Sequence, residues 1–192
     1  AVAGFEIDAA GRYLFSYGDA IGESARVWDI ASAQEVSQPE PPGLGLTAAA
    51  LSSDGTVVLT GGRDGSTRAW DAMTAAALDT PLLVGSGTVR GIAYNADGRR
   101  IATASDDGTV RLWDANTGEL LVRWPAHGGG ATDVSFSGDG RFLVSSGADG
   151  TVRVYLAQVD DLIDLARSRV TRTLTDDECR RFLHLEACPE DT

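Results

Sequence analysis

The 192-residue chain contains no lysine. All 16 of its basic residues are arginine, against 28 acidic residues, and the formal net charge is −12. Proteins that bind DNA or RNA normally carry a basic surface that neutralises phosphates, so this charge balance argues against a nucleic-acid-binding role. It argues equally against binding to an anionic membrane surface. The sequence also lacks an apolar run of the about 18–20 residues that a membrane-spanning helix needs.

Cysteine and histidine are scarce, with two of each. Cys179, His184 and Cys188 offer three potential zinc ligands, whereas a closed zinc site usually has four, so we expect no metal and no cofactor. The spacing of Cys179 and Cys188 allows a disulfide, but the favoured interpretation is two free thiols in a reducing cytosol. We therefore predict a cytoplasmic protein, or an extracytoplasmic one if the two cysteines are bridged.

What the sequence does contain is a motif that occurs four times. Ile101 to Asp114 (IATASDDGTVRLWD) combines a short apolar run, an Asp-Gly turn, a second apolar run and a closing Trp-Asp. The aromatic residues that anchor the four copies follow one another at intervals of 42, 43 and 42 residues: Trp28, Trp70, Trp113 and Tyr155. A repeat of about 40–45 residues that ends in Trp-Asp predicts an all-β propeller in which each repeat forms one blade.

Each repeat is expected to form a four-stranded antiparallel blade. In the third repeat the predicted strands are Val89–Tyr94, Ile101–Ala104, Thr109–Trp113 and Glu119–Trp124. They are rich in Val, Ile, Thr and aromatic residues, which favour strands, and Asp-Gly turns of the kind found in tight hairpins separate them. The fourth repeat ends at Tyr155, after its third strand, so we expect the last blade to lack its outer strand.

We divide the chain into four propeller blades over residues 1–156 and a helical tail over residues 157–192. Apolar residues recur in the tail with the period of a helix, namely Val159, Leu162, Ile163, Ala166 and Val170. Neither end of the repeat region supplies the strand that would complete the blade begun at the other end, which leaves an unpaired edge. We therefore expect either upstream blades in a longer parent chain or two copies that pair into an eight-bladed ring.

The segment ASDDGTVRLWD closely resembles the WD-repeat family, and the resemblance covers about Val2 to Tyr155. In that family a His, a Ser or Thr, an Asp and a Trp form a hydrogen-bonded tetrad in each blade. By resemblance, the structural tetrad residues are Thr60, Asp64, Trp70, Thr103, Asp107, Trp113, His127, Ser145, Asp149 and Tyr155. Only the fourth repeat has the His, and it has Tyr155 in place of the Trp. We therefore expect every tetrad to be incomplete and each blade to be less rigid than a consensus blade.

The resemblance implies a non-enzymatic scaffold or sensor that binds protein partners. The tail is similar to the helical ending of large bacterial WD-repeat regulators with an upstream STAND NTPase, kinase-like or protease-like domain, which implies bacterial signalling. In the family, one rim of the ring contacts partners, and the matching candidates here are Arg63, Arg90, Asp106 and Asp133. The alternative is a propeller hydrolase or lyase whose channel site is completed by absent blades.

Overall fold

The computed structural model describes residues 4–8, 10–18, 25–39, 46–79 and 85–157. All of them belong to the first of the two units into which the chain divides, Ala1–Ala157. The helices predicted for the tail lie outside the described residues, as do Cys179, His184 and Cys188. Within the described ranges, no helix has the length and apolar character needed to traverse a bilayer.

The described residues form fourteen strands arranged in four antiparallel sheets, each of which is one blade. Blade 1 consists of β1 (Gly4–Ile7), β2 (Tyr13–Tyr17), β3 (Arg26–Asp29) and β4 (Gln34–Ser37). Blade 2 consists of β5 (Leu46–Leu51), β6 (Val57–Gly62) and β7 (Thr67–Asp71). Blade 3 consists of β8 (Val89–Tyr94), β9 (Arg100–Ser105), β10 (Thr109–Asp114) and β11 (Leu120–Pro125). Blade 4 consists of β12 (Ala131–Phe136), β13 (Phe142–Gly147) and β14 (Val152–Leu156). These sheets confirm the predicted all-β propeller fold.

Blades 2 and 4 have three named strands each within the described part of the chain. In blade 4, β14 is the last described strand, and the residues that follow Ala157 lie outside the described ranges. In blade 2, the described part of the fourth strand consists of one bridge between Trp70 and Ala77. Residues 80–84, which would continue this strand, lie outside the described ranges, so a complete fourth strand in blade 2 stays a prediction.

The turn between the first and second strands has the same backbone conformation in all four blades. One glycine in each turn has a positive φ of 67 to 73°: Gly11, Gly55, Gly98 and Gly140. Residues with a side chain rarely adopt this left-handed conformation, whereas glycine does so without steric cost. The regular spacing of these glycines in the sequence therefore becomes a regular turn, which fixes how the first two strands of each blade pair.

The apolar core lies between the blades. We call the face of a blade that carries the third-strand Trp or Tyr its front face, and the opposite face its rear face. The front face of each of blades 2, 3 and 4 packs on the rear face of the blade before it. Representative pairs of rear and front residues are Phe15 with Trp70, Leu59 with Trp113, and Ala102 with Leu143. Each fully buried large apolar side chain contributes about 1.5–3 kcal/mol to folding.

The first strand of each blade lies at the centre of the arrangement. β1 packs on β5, β5 on β8, and β8 on β12. Residues from all four of these strands line one cavity of about 330 Å³, which we call the channel. The blades are therefore arranged radially around a common axis, as the repeat predicted.

Candidate functional site

A chain of polar contacts crosses blade 4 from its turn to its outermost described strand. The imidazole of His127 is fully buried, with Nδ1 3.0 Å from Asp149 Oδ1 and Nε2 2.7 Å from Ser145 Oγ. Ser145 Oγ lies 3.4 Å from the hydroxyl oxygen of Tyr155. The tyrosine hydroxyl thus takes the place that a tryptophan N–H has in blades 1 to 3. The four tetrad candidates of this repeat lie together in one network.

The acid in this network is held in its ionised form. The pKa of Asp149 is well below its usual value, first because the Thr151 hydroxyl donates a hydrogen bond to the carboxylate. The backbone N–H of Thr151, the His127 ring and the N–H of Gly128 add further hydrogen bonds. The contacts on both ring nitrogens of His127 fix its orientation, so this network positions the loop that enters blade 4.

Blade 3 has the Trp contact of the tetrad but no histidine. Trp113 Nε1 donates to Thr103 Oγ1 at 3.0 Å. In blade 4, Val134 pairs with Ser145, and His127 lies seven residues before Val134. In blade 3, Ile92 pairs with Thr103, and the residue seven positions before Ile92 is Gly85. Gly85 therefore occupies the position that His127 has in blade 4. A Cβ atom on Gly85 would lie 2.8 Å from an Nη1 atom of Arg111, so the guanidinium occupies the space next to this glycine.

Arg111 contacts the turn carboxylate of blade 3, Asp107, as His127 contacts Asp149 in blade 4. Its Nη2 donates to Asp107 Oδ2 at 2.5 Å, and the Ser86 hydroxyl donates to the same oxygen at 2.7 Å. The two charged side chains are only 7% and 16% exposed. Burial raises the pKa of Asp107, but hydrogen bonds from Thr109, Ser86 and Arg111 outweigh it and lower that pKa well below its usual value. Arg111 was not among the sequence-predicted residues.

Blades 1 and 2 also have the hydrogen bond from the Trp side-chain N–H to a hydroxyl group. In blade 2, Trp70 Nε1 donates to Thr60 Oγ1 at 3.0 Å, while Asp64 accepts from the Ser66 hydroxyl at 2.7 Å. In blade 1, Trp28 Nε1 donates to Ser16 Oγ at 3.0 Å. The sequence prediction did not include Ser16. Ser16 lies 12 residues before Trp28, whereas Thr60 lies 10 residues before Trp70, because the hairpin in blade 1 is longer. Counting back from Trp28 with an allowance for this longer hairpin would have identified Ser16.

The four rim candidates do not form one cluster. Arg90 and Asp106 pair with each other through two hydrogen bonds, Nε to Oδ1 at 2.8 Å and Nη2 to Oδ2 at 2.9 Å. Hydrogen bonding to Arg90 lowers the pKa of Asp106. Asp133 lines the channel, where its Oδ1 accepts the N–H of Val134. Arg63 is exposed at the turn between β6 and β7. The structure therefore brings two of the candidates together and separates the other two.

A comparison with protein-family models matches the WD40 model, described as "WD domain, G-beta repeat", at residues 42–71, 80–114 and 118–155. These segments cover more than half of the chain. The chain belongs to the WD40 family. A comparison with curated proteins gave no match.

The WD40 sequence repeat and the structural blade are offset by one strand. The matched segment 118–155 begins with β11, the outer strand of blade 3, and continues through the three strands of blade 4. Blade 1 lies outside the matched segments, yet it has the same sheet order and the same Trp-to-hydroxyl contact as the matched WD40 blades.

The WD40 channel is lined by apolar side chains with several acidic and hydroxyl side chains among them. Glu6 from β1 and Asp133 from β12 line it together with Tyr94 and Ser135. Burial raises the pKa of Glu6, and the nearby charge of Asp133 adds to the effect. Among the described residues, no group of three His, Cys, Asp or Glu side chains is arranged to hold a metal ion. The groups at this site that could take part in chemistry are the carboxyl groups of Glu6 and Asp133 and the hydroxyl groups of Tyr94 and Ser135.

Proposed function

We propose that this chain is a protein-interaction module of a larger bacterial signalling or regulatory system and performs no chemistry of its own. The observation that carries the proposal is how the turn carboxylates are used. Asp64, Asp107 and Asp149 each accept hydrogen bonds from the hydroxyl group two residues later, so they stabilise turns. A catalytic carboxylate needs a free oxygen directed at a substrate. We propose that the exposed charged residues Arg63, Arg90 and Asp106, which we call the rim, contact a partner.

Arg63 is the rim residue best suited to contact a partner. It is exposed, and its neighbour Asp64 is engaged by Ser66 and, at 3.7 Å, by Arg68. Arginine is enriched among interface residues that contribute strongly to binding, because its planar guanidinium can bind a carboxylate through two hydrogen bonds. We therefore propose an acidic segment on the partner that faces blade 2.

The Arg90–Asp106 pair supports the same proposal in a different way. The two side chains already hold each other in a fixed geometry with two hydrogen bonds. A pair that is ordered before binding loses little side-chain entropy when a partner covers it. We propose that this pair serves as a second, ordered polar contact for the partner and not as two separate contact charges.

We further propose that the module acts in the cytoplasm, where the two cysteines of the tail would remain thiols. The chain contains two cysteines in 192 residues, and a reducing compartment keeps such thiols free. Measurement of free thiols in the protein isolated under acid-quenched conditions tests this point. Two alkylated cysteines per chain are expected, and a bridged pair would place the protein outside the cytoplasm.

The interaction proposal is tested by site-specific photo-crosslinking in the bacterial host. A photoreactive residue is placed at Arg63 and, as a matched control, at Arg123, which is exposed on the outer strand β11. The proposal predicts a discrete crosslinked protein from position 63 that is absent from position 123, and that is reduced by an excess of unlabelled wild-type chain but not by an excess of an Arg63→Glu chain. Equal labelling from both positions would contradict a partner-binding rim.

The second candidate function is a hydrolase or lyase site in the channel, favoured by the raised pKa of Glu6 beside Asp133. A carboxyl group with a raised pKa can act as a general acid near neutral pH. A hydrolase and lyase substrate screen of the chain and its Glu6→Gln variant tests this alternative. Activity in the wild type that the variant loses would establish it over the scaffold.

A further inference from the structure

The two end faces of the blade series are exposed at positions that are buried elsewhere in the same protein. Phe5 in β1 occupies the register position of Ile92 in blade 3 and Val134 in blade 4, because each lies opposite the Ser or Thr that belongs to the Trp contact. Phe5 is 64% exposed, whereas Ile92 and Val134 are 6% and 4% exposed. The front face of blade 1 thus has the residues of an inter-blade junction, but none of the described blades packs on it.

The rear face of blade 4 shows the same contrast. Val152 and Val154 in β14 occupy the positions of Val110 and Leu112 in β10, as the pairing of each strand with its neighbour shows. The two valines of blade 4 are 67% and 62% exposed, whereas Val110 is fully buried under blade 4. An exposed strand face of this apolar kind marks an interaction surface.

The two end faces differ in the size of their side chains. The front face of blade 1 carries large side chains, namely Phe5, Ile7, Leu14 and Trp28. The rear face of blade 4 carries five small or β-branched ones, namely Ser135, Ser146, Val144, Val152 and Val154, together with Phe142 and Leu156. In the buried junction between blades 2 and 3, Ile92 and Trp113 likewise pack on the small side chains of Ala48, Ala50 and Ala69 and on Leu59. Each end face therefore resembles one half of a junction that the protein already forms.

We propose that the front face of blade 1 binds the rear face of blade 4 in a second copy of this chain. One chain carries both halves of the junction, so the contact needs no other partner. The front face is also preformed, because Trp28 already donates to Ser16 just as Trp113 donates to Thr103. The contact is head-to-tail, and two such contacts within a dimer close a ring of eight blades.

This contact goes beyond the proposed scaffold function and does not involve its rim. Arg63 lies in a turn of blade 2, which is covered on both faces by its neighbours. Loss of partner crosslinking at position 63 would therefore leave self-association unaffected, and loss of self-association would leave the rim intact. The two proposals can fail separately.

The test is the mass of the 192-residue protein in solution, measured by light scattering during size-exclusion chromatography. At about 100 µM, a contact with a micromolar Kd is occupied, so we expect at least twice the chain mass of 20.1 kDa. Val154→Glu places a charge on the rear face and should give a folded monomer, verified by circular dichroism. Met73→Glu, a change at an exposed apolar residue of a turn in blade 2, is the matched control and should behave like the wild type.

A mixing experiment identifies the faces involved. Phe5→Arg and Val154→Glu should each be monomeric alone, but a mixture should re-associate, because one junction is then native and the other pairs opposite charges. If Val154→Glu fails to fold, Val152→Glu on the same face replaces it. A wild-type monomer at about 100 µM, well above a micromolar Kd, overturns the proposal and assigns these faces to blades of another chain. Dimers that persist in both variants overturn it as well.

Discussion

His127 Nε2 lies 2.7 Å from Ser145 Oγ, and this contact links the loop that enters blade 4 to the middle strand of its sheet. The other ring nitrogen contacts Asp149 in the turn between β13 and β14. One buried imidazole thereby ties three separate segments of the blade together. The sequence analysis expected every tetrad to be incomplete; blade 4 nevertheless forms a continuous network, because the Tyr155 hydroxyl reaches Ser145 at 3.4 Å.

Replacing His127 by Ala should destabilise the protein by about 2–4 kcal/mol, because it removes the contacts of the buried imidazole with Ser145 and Asp149 and opens a cavity. The measurement is the free energy of unfolding from urea denaturation. Arg123→Ala, a change on the exposed face of β11, should change it by less than about 0.5 kcal/mol. A His127→Ala variant as stable as Arg123→Ala would show that the network contributes nothing to stability.

Arg111→Ala should be more harmful than Arg153→Ala, although both residues occupy the same register position in their blades. Arg111 is buried against Asp107, so its removal strands a carboxylate and should cost about 2–4 kcal/mol. Arg153 is exposed, since His127 takes the inner position in blade 4, and its loss should cost less than about 0.5 kcal/mol. Urea denaturation of both variants compares them directly; equal effects would refute the view that Arg111 replaces the histidine.

Stability should fall in acid, and Asp107 should account for part of the loss. Its pKa is lower in the folded protein than in the unfolded chain, so the unfolded state takes up a proton first as the pH falls below about 4. The contribution is fully present above that pH and is lost as the pH falls toward the lower folded pKa. The slope of unfolding free energy between pH 5 and about 2.5 should be smaller for Asp107→Asn than for wild type.

Asp97→Asn serves as the control for the acid experiment, because Asp97 is exposed in a turn and accepts a hydrogen bond from the Arg99 N–H. Its slope should lie closer to wild type than that of Asp107→Asn. If both variants keep the full wild-type slope, the acid sensitivity arises elsewhere.

Gly91→Ala should loosen the junction between blades 3 and 4. A Cβ atom at this position would lie 2.9 Å from Asp133 Cα, a backbone atom that can move only if the blades separate. Such overpacking typically costs about 1–3 kcal/mol. Gly128→Ala is the matched control, because no atom lies within 4 Å of a Cβ there. Thermal unfolding followed by circular dichroism should show a lower Tm for Gly91→Ala only; an unchanged Tm would mean that the junction has room.

The regular features of this fold could be predicted from the sequence because they depend on local residue patterns. The strands of blade 3 lie within about one residue of the predicted bounds, since Asp-Gly turns and β-branched runs delimit them. The predicted fourth strand of blade 2 is described only where it begins, at the bridge between Ala77 and Trp70.

The substitutions within the polar networks could not be predicted from the motif alone. Arg111 fills the space beside Gly85 only because the fold brings the loop before β8 against β10, a contact between residues 26 positions apart. A sequence motif records the absence of histidine there but not which side chain reaches the gap. The pairing of Arg90 with Asp106 was hidden for the same reason, because it joins β8 to the turn between β9 and β10.

The central claim is that the front face of blade 1 and the rear face of blade 4, which carry exposed apolar side chains, serve as contact surfaces. Hydrogen–deuterium exchange at about 1 µM and about 100 µM, on either side of a micromolar Kd, tests it most directly. We predict that amides in β1 and β14 gain protection at the higher concentration while those in β9, already covered on both faces, stay unchanged. Identical exchange in β1 and β14 at both concentrations, with both strands less protected than β9, would contradict the account.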